Sequence, residues 1–212
     1  MPSIESVILE SPDPTTAAAF YDTAFGLGPR LRVRASNEPT DGFRGFTLSL
    51  VVAQPGNVDL LVGAAVNGGA TTLKAPTKSF WGYGGVVRAP DGAVWKVASS
   101  TKKDTGPATR AIDDLVLLLG VADVKATKRF YVEHGLEVAK SYGSKYVEFA
   151  SGSGTVKLAL YGRRALAKDA GVPPEGGGSH RMVVVGGTGA FADLDGFAWQ
   201  SASADASSGE IR

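Results

Sequence analysis

Residues 13–33 read DPTTAAAFYDTAFGLGPRLRV, and residues 123–142 read DVKATKRFYVEHGLEVAKSY. Asp13 aligns with Asp123, and Phe20-Tyr21 aligns with Phe130-Tyr131, at one common offset. A strand-like run precedes each copy, SVILES (6–11) and DLVLLLG (114–120). Further on, PDGAVWKVAS (90–99) matches LDGFAWQSAS (194–203) at a slightly shorter offset. Two motifs recurring in the same order mark an internal duplication.

Each copy opens strand, turn, helix. Asp13 caps the first helix by accepting from an orphan backbone N–H, and Pro14 suits its first position. Ala17, Phe20, Tyr21 and Ala24 form the apolar stripe, and Gly26 and Gly28 end it. In the second copy Asp123 caps, Val124, Thr127, Phe130 and Tyr131 form the stripe, and Gly135 ends it. VDLLVGAAVNGG (58–69) predicts a further helix. YVEFAS (146–151) and TVKLALY (155–161) predict a hairpin around Gly152-Ser153-Gly154. RMVVV (181–185) predicts a strand, and KDAGVPPEGGGS (168–179) a loop. SSTKKDTGPATR (99–110) reads as a linker. The resulting division is a first half over 1–100, a linker over 101–110, a second half over 111–203 and a polar, flexible tail over 204–212.

Composition narrows the function. Hydrophobic residues make up 43% and charged residues 20%, enough apolar surface for a soluble globular core. A net charge of +1 lacks the basic footprint of a nucleic-acid binder. There is no cysteine, which removes disulfides, thiolate nucleophiles and thiolate metal sites. The first residues, MPSIESVILESPDP, do not read as a secretory leader, and no apolar run approaches membrane-spanning length. A cytoplasmic protein without a membrane partner is the expectation.

The strand–Asp–helix–FY–Gly-Leu pattern, the stretch ALYGRRALAKDAGVPPEGGGSHRMVVV and above all FWGYGGVVRAPDGAVWKVA (80–98) resemble the glyoxalase / bleomycin-resistance superfamily, the vicinal oxygen chelate proteins. The resemblance covers most of residues 4–202. It implies an α+β fold of paired βαβββ modules, curled into half-barrel sheets with the ligand in the cup, here as two abbreviated repeats. In the enzymatic members four side chains, usually His, Glu or Gln, hold a divalent ion that polarises two substrate oxygens.

The positions the resemblance assigns to those ligands are altered here. In the first half they fall near Ser6, near Arg44 or Gly45, and on Lys96, whose ammonium stands where a carboxylate is usual and repels a cation. In the second half they fall near Val116 and near Leu158 or Ala159, with His180 and Gln200 as the remaining pair. His180 and Gln200 read either as half of a metal site for Zn, Ni, Mn or Fe, or as a surface histidine and a polar strand residue. Lys96 has three readings: pairing with a carboxylate across the cup, snorkelling to the rim, or meeting an anionic ligand.

Other constellations carry less. GGTGAFADLDG (186–196) lacks the lysine of a phosphate-binding loop and reads as a shortened connection. TKKD (101–104) reads as a solvated charge cluster. His134 reads as an exposed helix-end residue. Glu148 reads as an outward-facing strand residue, opposite Val147 and Phe149. The aromatics carry more. Trp81 and Tyr83, flanked by Gly82 and Gly84, suit a cup rim, whereas Trp95 and Trp199 suit either core packing or ligand stacking.

The preferred reading is a metal-free small-molecule-binding protein without a cofactor, sequestering an aromatic compound. Its candidate ligand-binding residues are Trp81, Tyr83, Trp95, Lys96, His180, Trp199 and Gln200. The alternatives are a glyoxalase-like lyase, isomerase or dioxygenase with a reduced metal site at His180 and Gln200, and a degenerate scaffold whose cups are filled by side chains. A fused pair can complete its cups within one chain, which favours a monomer over a homodimer.

Overall fold

A computed structural model describes residues 3–153, 155–187 and 189–202. The first half runs β1 (Ile4–Ser11), α1 (Pro14–Ala24), β2 (Leu31–Ala35), β3 (Thr40–Gly42), β4 (Phe46–Val51), α2 (Pro55–Asn67), β5 (Thr71–Ser79), β6 (Gly82–Arg88) and β7 (Val94–Ser99). The second runs β8 (Asp114–Val121), α3 (Val124–Glu133), β9 (Val138–Ser141), β10 (Tyr146–Phe149), β11 (Val156–Gly162), α4 (Arg163–Ala170), β12 (Gly176–Gly178), β13 (Met182–Gly186), β14 (Phe191–Ala192) and β15 (Ala198–Gln200). The fold is α+β, as the repeats require. Among the described residues no helix is long and apolar enough to cross a membrane.

The capping predictions hold at atomic detail. The Asp13 carboxylate accepts from Thr16 N at 3.0 Å, and Asp123 accepts from Lys125 N and Ala126 N at 2.8 and 3.1 Å. Ala17, Phe20, Tyr21 and Ala24 are the buried face of α1. On α3 the buried residues are Val124, Thr127 and Tyr131. Phe130 is only half-buried, because its ring lies over His134 at 4.1 Å on the rim of the core. His134 is correspondingly half-covered rather than exposed, with Nδ1 2.8 Å from the Phe130 carbonyl.

Among the described residues thirteen strands join in one sheet whose main path is β14-β15-β13-β1-β11-β8-β4-β7-β6-β5, with β2 on β1, and β10 and then β9 beyond β11. The two halves exchange strands. β1 of the first half pairs antiparallel with β13 of the second, and β8 of the second pairs antiparallel with β4 of the first. A single residue pair, Ile4 with Val156, joins β1 to β11, so the sheet has two wings and a narrow seam. The helices α1, α2 and α3 cover one face. Beneath them Trp95, Leu48, Leu50, Leu117, Leu119, Tyr131 and Phe149 form the main core.

The stretch 168–179 is not one loop. Lys168, Asp169 and Ala170 complete α4, which Gly171 ends at φ 76°, and Gly176–Gly178 pair with β3. Arg163–Ala170 is rich in strong helix formers, but only Leu166, Ala167 and Ala170 are buried, a stripe too short to register as periodicity. α4 lies on the face of the sheet opposite the other helices. Leu166, Ala167 and Ala170 pack there on Val86 and Val94 of the first half and on Leu118. One cup is therefore partly plugged by the chain itself.

The linker is pinned. Gln54, 5% exposed at the head of α2, accepts from Thr105 N and Gly106 N through Oε1 and donates to Gly106 O and Pro107 O through Nε2. Asn57 accepts from Thr109 N at 2.8 Å. The hairpin predicted at 146–161 forms, β10 antiparallel to β11, though Gly154 at its tip lies outside the described residues. The tail expected at 204–212 also lies outside them.

Candidate functional site

Alternation along β7 fixes the site. Trp95 and Val97 point into the main core, so Lys96 points to the opposite face. There its neighbours across the ladder are Val86 on β6 and Ser49 on β4. One step along, Gly84 faces Ala98. A Cβ at Gly84 would lie 2.8 Å from the Val97 carbonyl oxygen and 3.2 Å from the Ala98 Cβ, so the floor is kept shallow by the absence of a side chain.

Above this floor lies a cleft of about 330 Å³, bounded by Lys74, Thr77, Trp81, Gly82, Lys96 and Asp169. The plug forms one wall. Lys96 Nζ meets Asp169 Oδ2 at 2.7 Å. Lys74 Nζ donates to the carbonyls of Lys168 and Asp169 at 2.9 and 2.6 Å, where the helix dipole presents its negative end. Of the three readings of Lys96, the pairing across the cup is the one realised. At the mouth Trp81 stands 83% exposed at the β5–β6 turn, with Phe80 edge-on at a centroid distance of 5.0 Å. Tyr83 lines the same cleft, but its hydroxyl donates to Asp59 of α2 at 2.8 Å. Desolvation, reinforced by Asp59, raises the pKa of that hydroxyl.

Trp81 and Lys96 are thus brought together. Tyr83 borders the cleft beside them, but its ring packs on the main core and its hydroxyl turns to α2, as alternation with Gly82 and Gly84 requires. The other four candidates lie elsewhere. Trp95 and Trp199 are core residues, 0% and 3% exposed, which corrects the expectation that they contact ligand. Trp95 packs on Tyr21 and Phe25, and Trp199 on Tyr131 and Phe191. Strand alternation that turns Lys96 outward necessarily turns Trp95 inward. His180 lies in a separate hollow of about 300 Å³. Its Nδ1 is 2.5 Å from the Arg44 carbonyl and its Nε2 3.1 Å from the Asp195 carbonyl, with the ring stacked on Phe197 at 3.9 Å. Gln200 Oε1 accepts from Arg34, which also grips Glu10 at 2.6 Å. Nor are the other assigned positions donors: Ser6 Oγ accepts from Arg32, and Leu158 and Ala159 are buried in the apolar interior. Among the described residues no three His, Cys, Asp or Glu side chains converge as a metal site would require.

Lys74 and Asp169 escaped the sequence reading. Strand alternation on β5 could have flagged Lys74, whose partner across the ladder is Val86, itself opposite Lys96. Nothing local flags Asp169, which reaches Lys96 only through long-range packing. A larger hollow of about 430 Å³ runs along α1 and β2, but it is walled mainly by small and apolar residues such as Ala18, Ala19 and Leu27. It has no comparable convergence of charge.

Comparison with solved structures places this architecture. A variant of glyoxalase I from Zea mays superposes with a TM-score of 0.61 at 13% identity, over 95% of this chain and 92% of the maize chain. A putative dioxygenase from Bacillus subtilis superposes with a TM-score of 0.53 at 13% identity, over 91% of this chain and 71% of that chain. No family model matches the sequence, and no curated protein matches it. The chain therefore has the fold of glyoxalase I.

Proposed function

We propose that this protein is a metal-free binder of a small planar aromatic compound, held in the cleft of the first half. The observation that carries this reading is the meeting of Trp81, Lys96 and the shallow Gly84–Ala98 floor in one cleft of about 330 Å³. That volume falls in the range of small-ligand sites, and an exposed indole beside a flat floor suits a planar ring.

The residues present do not fit the divalent ion of the fold's enzymatic members. At Lys96 an ammonium replaces the anionic donor. Both nitrogens of His180 face backbone carbonyls, and Gln200 is engaged by Arg34. An ion at His180 would have to displace the backbone carbonyls that face both ring nitrogens, and the ring stack on Phe197, for one neutral ligand.

Intrinsic fluorescence tests the reading, because Trp81 is exposed while Trp95 and Trp199 are buried. Chelator-treated protein titrated with a library of planar aromatic compounds should show saturable quenching. The response should be lost in Trp81→Ala and unchanged by adding Zn, Ni, Mn or Fe. A flat response across the library, or binding that appears only with added metal, would overturn it.

A further inference from the structure

Resting on that binding reading, we infer that the ligand is an aromatic monoanion, such as an aromatic carboxylate, and that it displaces Asp169 from Lys96. Two ammonium groups, Lys74 and Lys96, border the cleft against one carboxylate, Asp169. Even with Asp169 counted, these side chains carry one excess positive charge, so the cleft favours an anion both before and after Asp169 leaves Lys96.

The donors are also in surplus. An ammonium has three N–H groups. Lys74 directs two hydrogen bonds to the α4 carbonyls, and Lys96 makes one to Asp169. Donors thus remain on both lysines, beside a floor formed by Gly84 and Ala98. A carboxylate at Lys96 would place its attached ring over that floor and toward Trp81.

The resident partner is easily exchanged. The Lys96 and Asp169 side chains are 35% and 46% exposed. An ion pair this open to water is weakly held. Release of Asp169 leaves the α4 anchor intact, because Lys74 holds backbone carbonyls rather than the Asp169 carboxylate. Leu166, Ala167 and Ala170 remain packed below.

Calorimetric titration with 2-naphthoate and its uncharged analogue 2-naphthamide tests the inference. The full chain should bind naphthoate at least tenfold tighter than naphthamide, and that preference should shrink as NaCl rises from 0.05 to 0.5 M. Lys96→Gln should weaken naphthoate several-fold more than naphthamide and so shrink the preference. Asp169→Asn, which removes the internal competitor, should tighten naphthoate several-fold and leave naphthamide unchanged. Equal affinity for the two compounds would overturn the charge inference while leaving the aromatic-binding reading standing. Weaker naphthoate binding by Asp169→Asn would overturn the displacement. If naphthoate does not bind, the inference falls, and the library titration alone decides the aromatic-binding reading.

Discussion

The two copies of the Phe-Tyr motif place a tyrosine under each Asp-Gly turn, and the two turns answer it differently. Tyr21 donates to Asp91, the turn aspartate itself, at 2.8 Å. Tyr131 donates at 2.5 Å to Asp193, two residues ahead of the equivalent turn aspartate, and also accepts from Trp199 Nε1 at 3.2 Å. Asp195 is thereby released to accept from Ala122 N at the entrance to α3. Burial pushes both tyrosine hydroxyls well above their ordinary pKa, and the neighbouring aspartates push in the same direction. Asp193 is 7% exposed, whereas Asp91 is half-buried, so only Asp91 can recover its lost bond from water. Tyr131→Phe should therefore cost about 2–3 kcal/mol and Tyr21→Phe about 1 kcal/mol, as denaturant midpoints will show. The pH dependence follows from the same groups. A tyrosine whose folded pKa is raised stabilises fully below its unfolded value of about 10, and that stability is lost as pH rises beyond it. Wild type should lose thermal stability above about pH 10 more steeply than Tyr131→Phe. Desolvation raises the Asp193 pKa despite its three hydrogen bonds, so its contribution is largest below about pH 4 and declines as pH climbs. Asp193→Asn should remove that decline, which melting curves from pH 4 to 7 will test. At this scale the caps Asp13 and Asp123 were legible because a cap acts within three residues. The shift from Asp195 to Asp193 was not, since a tyrosine more than sixty residues away makes the choice.

At the scale of elements, α4 and the linker decide how much of the sheet remains open. Both were obscured in the sequence for one reason: their partners lie in the other half or far along the chain. The eight residues of α4 offer barely two turns of pattern, and the Gly- and Pro-rich stretch behind them reads as loop. What makes α4 a distinct element is the apolar patch of Val86, Val94 and Leu118, which needs cover. Leu166, 1% exposed at its centre, carries that contact. Leu166→Ala should cost about 2–5 kcal/mol by unfolding midpoint. It should also raise hydrogen exchange across Arg163–Ala170 far more than across α1. The linker is held by a different device, a buried amide. Gln54→Ala would leave Thr105 N and Gly106 N without their acceptor and the carbonyls of Gly106 and Pro107 without a donor. A loss of about 1–3 kcal/mol, with faster exchange at Thr105 and Gly106, is the expected result. Protection at those amides equal to that of the wild type would contradict it.

For the whole molecule, the duplication predicts two similar units but does not say that they interlock. Strand pairing is a long-range choice, and the apolar pattern of β1 would serve several partners equally. The structure makes the choice across the halves. Six residue pairs join β4 to β8, and β1 runs along β13, with Ile8 opposite Val183 and Val7 opposite Val184. Among the described residues of the first half β1 pairs only with β2, and β4 only with β7. A chain cut to residues 1–100 would expose the unpaired edges of β1 and β4, together with Val86 and Val94 stripped of α4. Open apolar edges of that kind associate rather than remain solvated. Residues 1–100 expressed alone should therefore aggregate or melt without cooperativity, and so should 101–212. Mixed at equal concentration during refolding, the two fragments should recover the circular dichroism spectrum of the intact chain and elute as a one-to-one complex. The reason is that β1–β13 and β4–β8 need contact between the fragments but not a covalent link. A monomeric, cooperatively folding 1–100 fragment would mean instead that each half closes on itself, and that the interlock is a property of the fused chain alone.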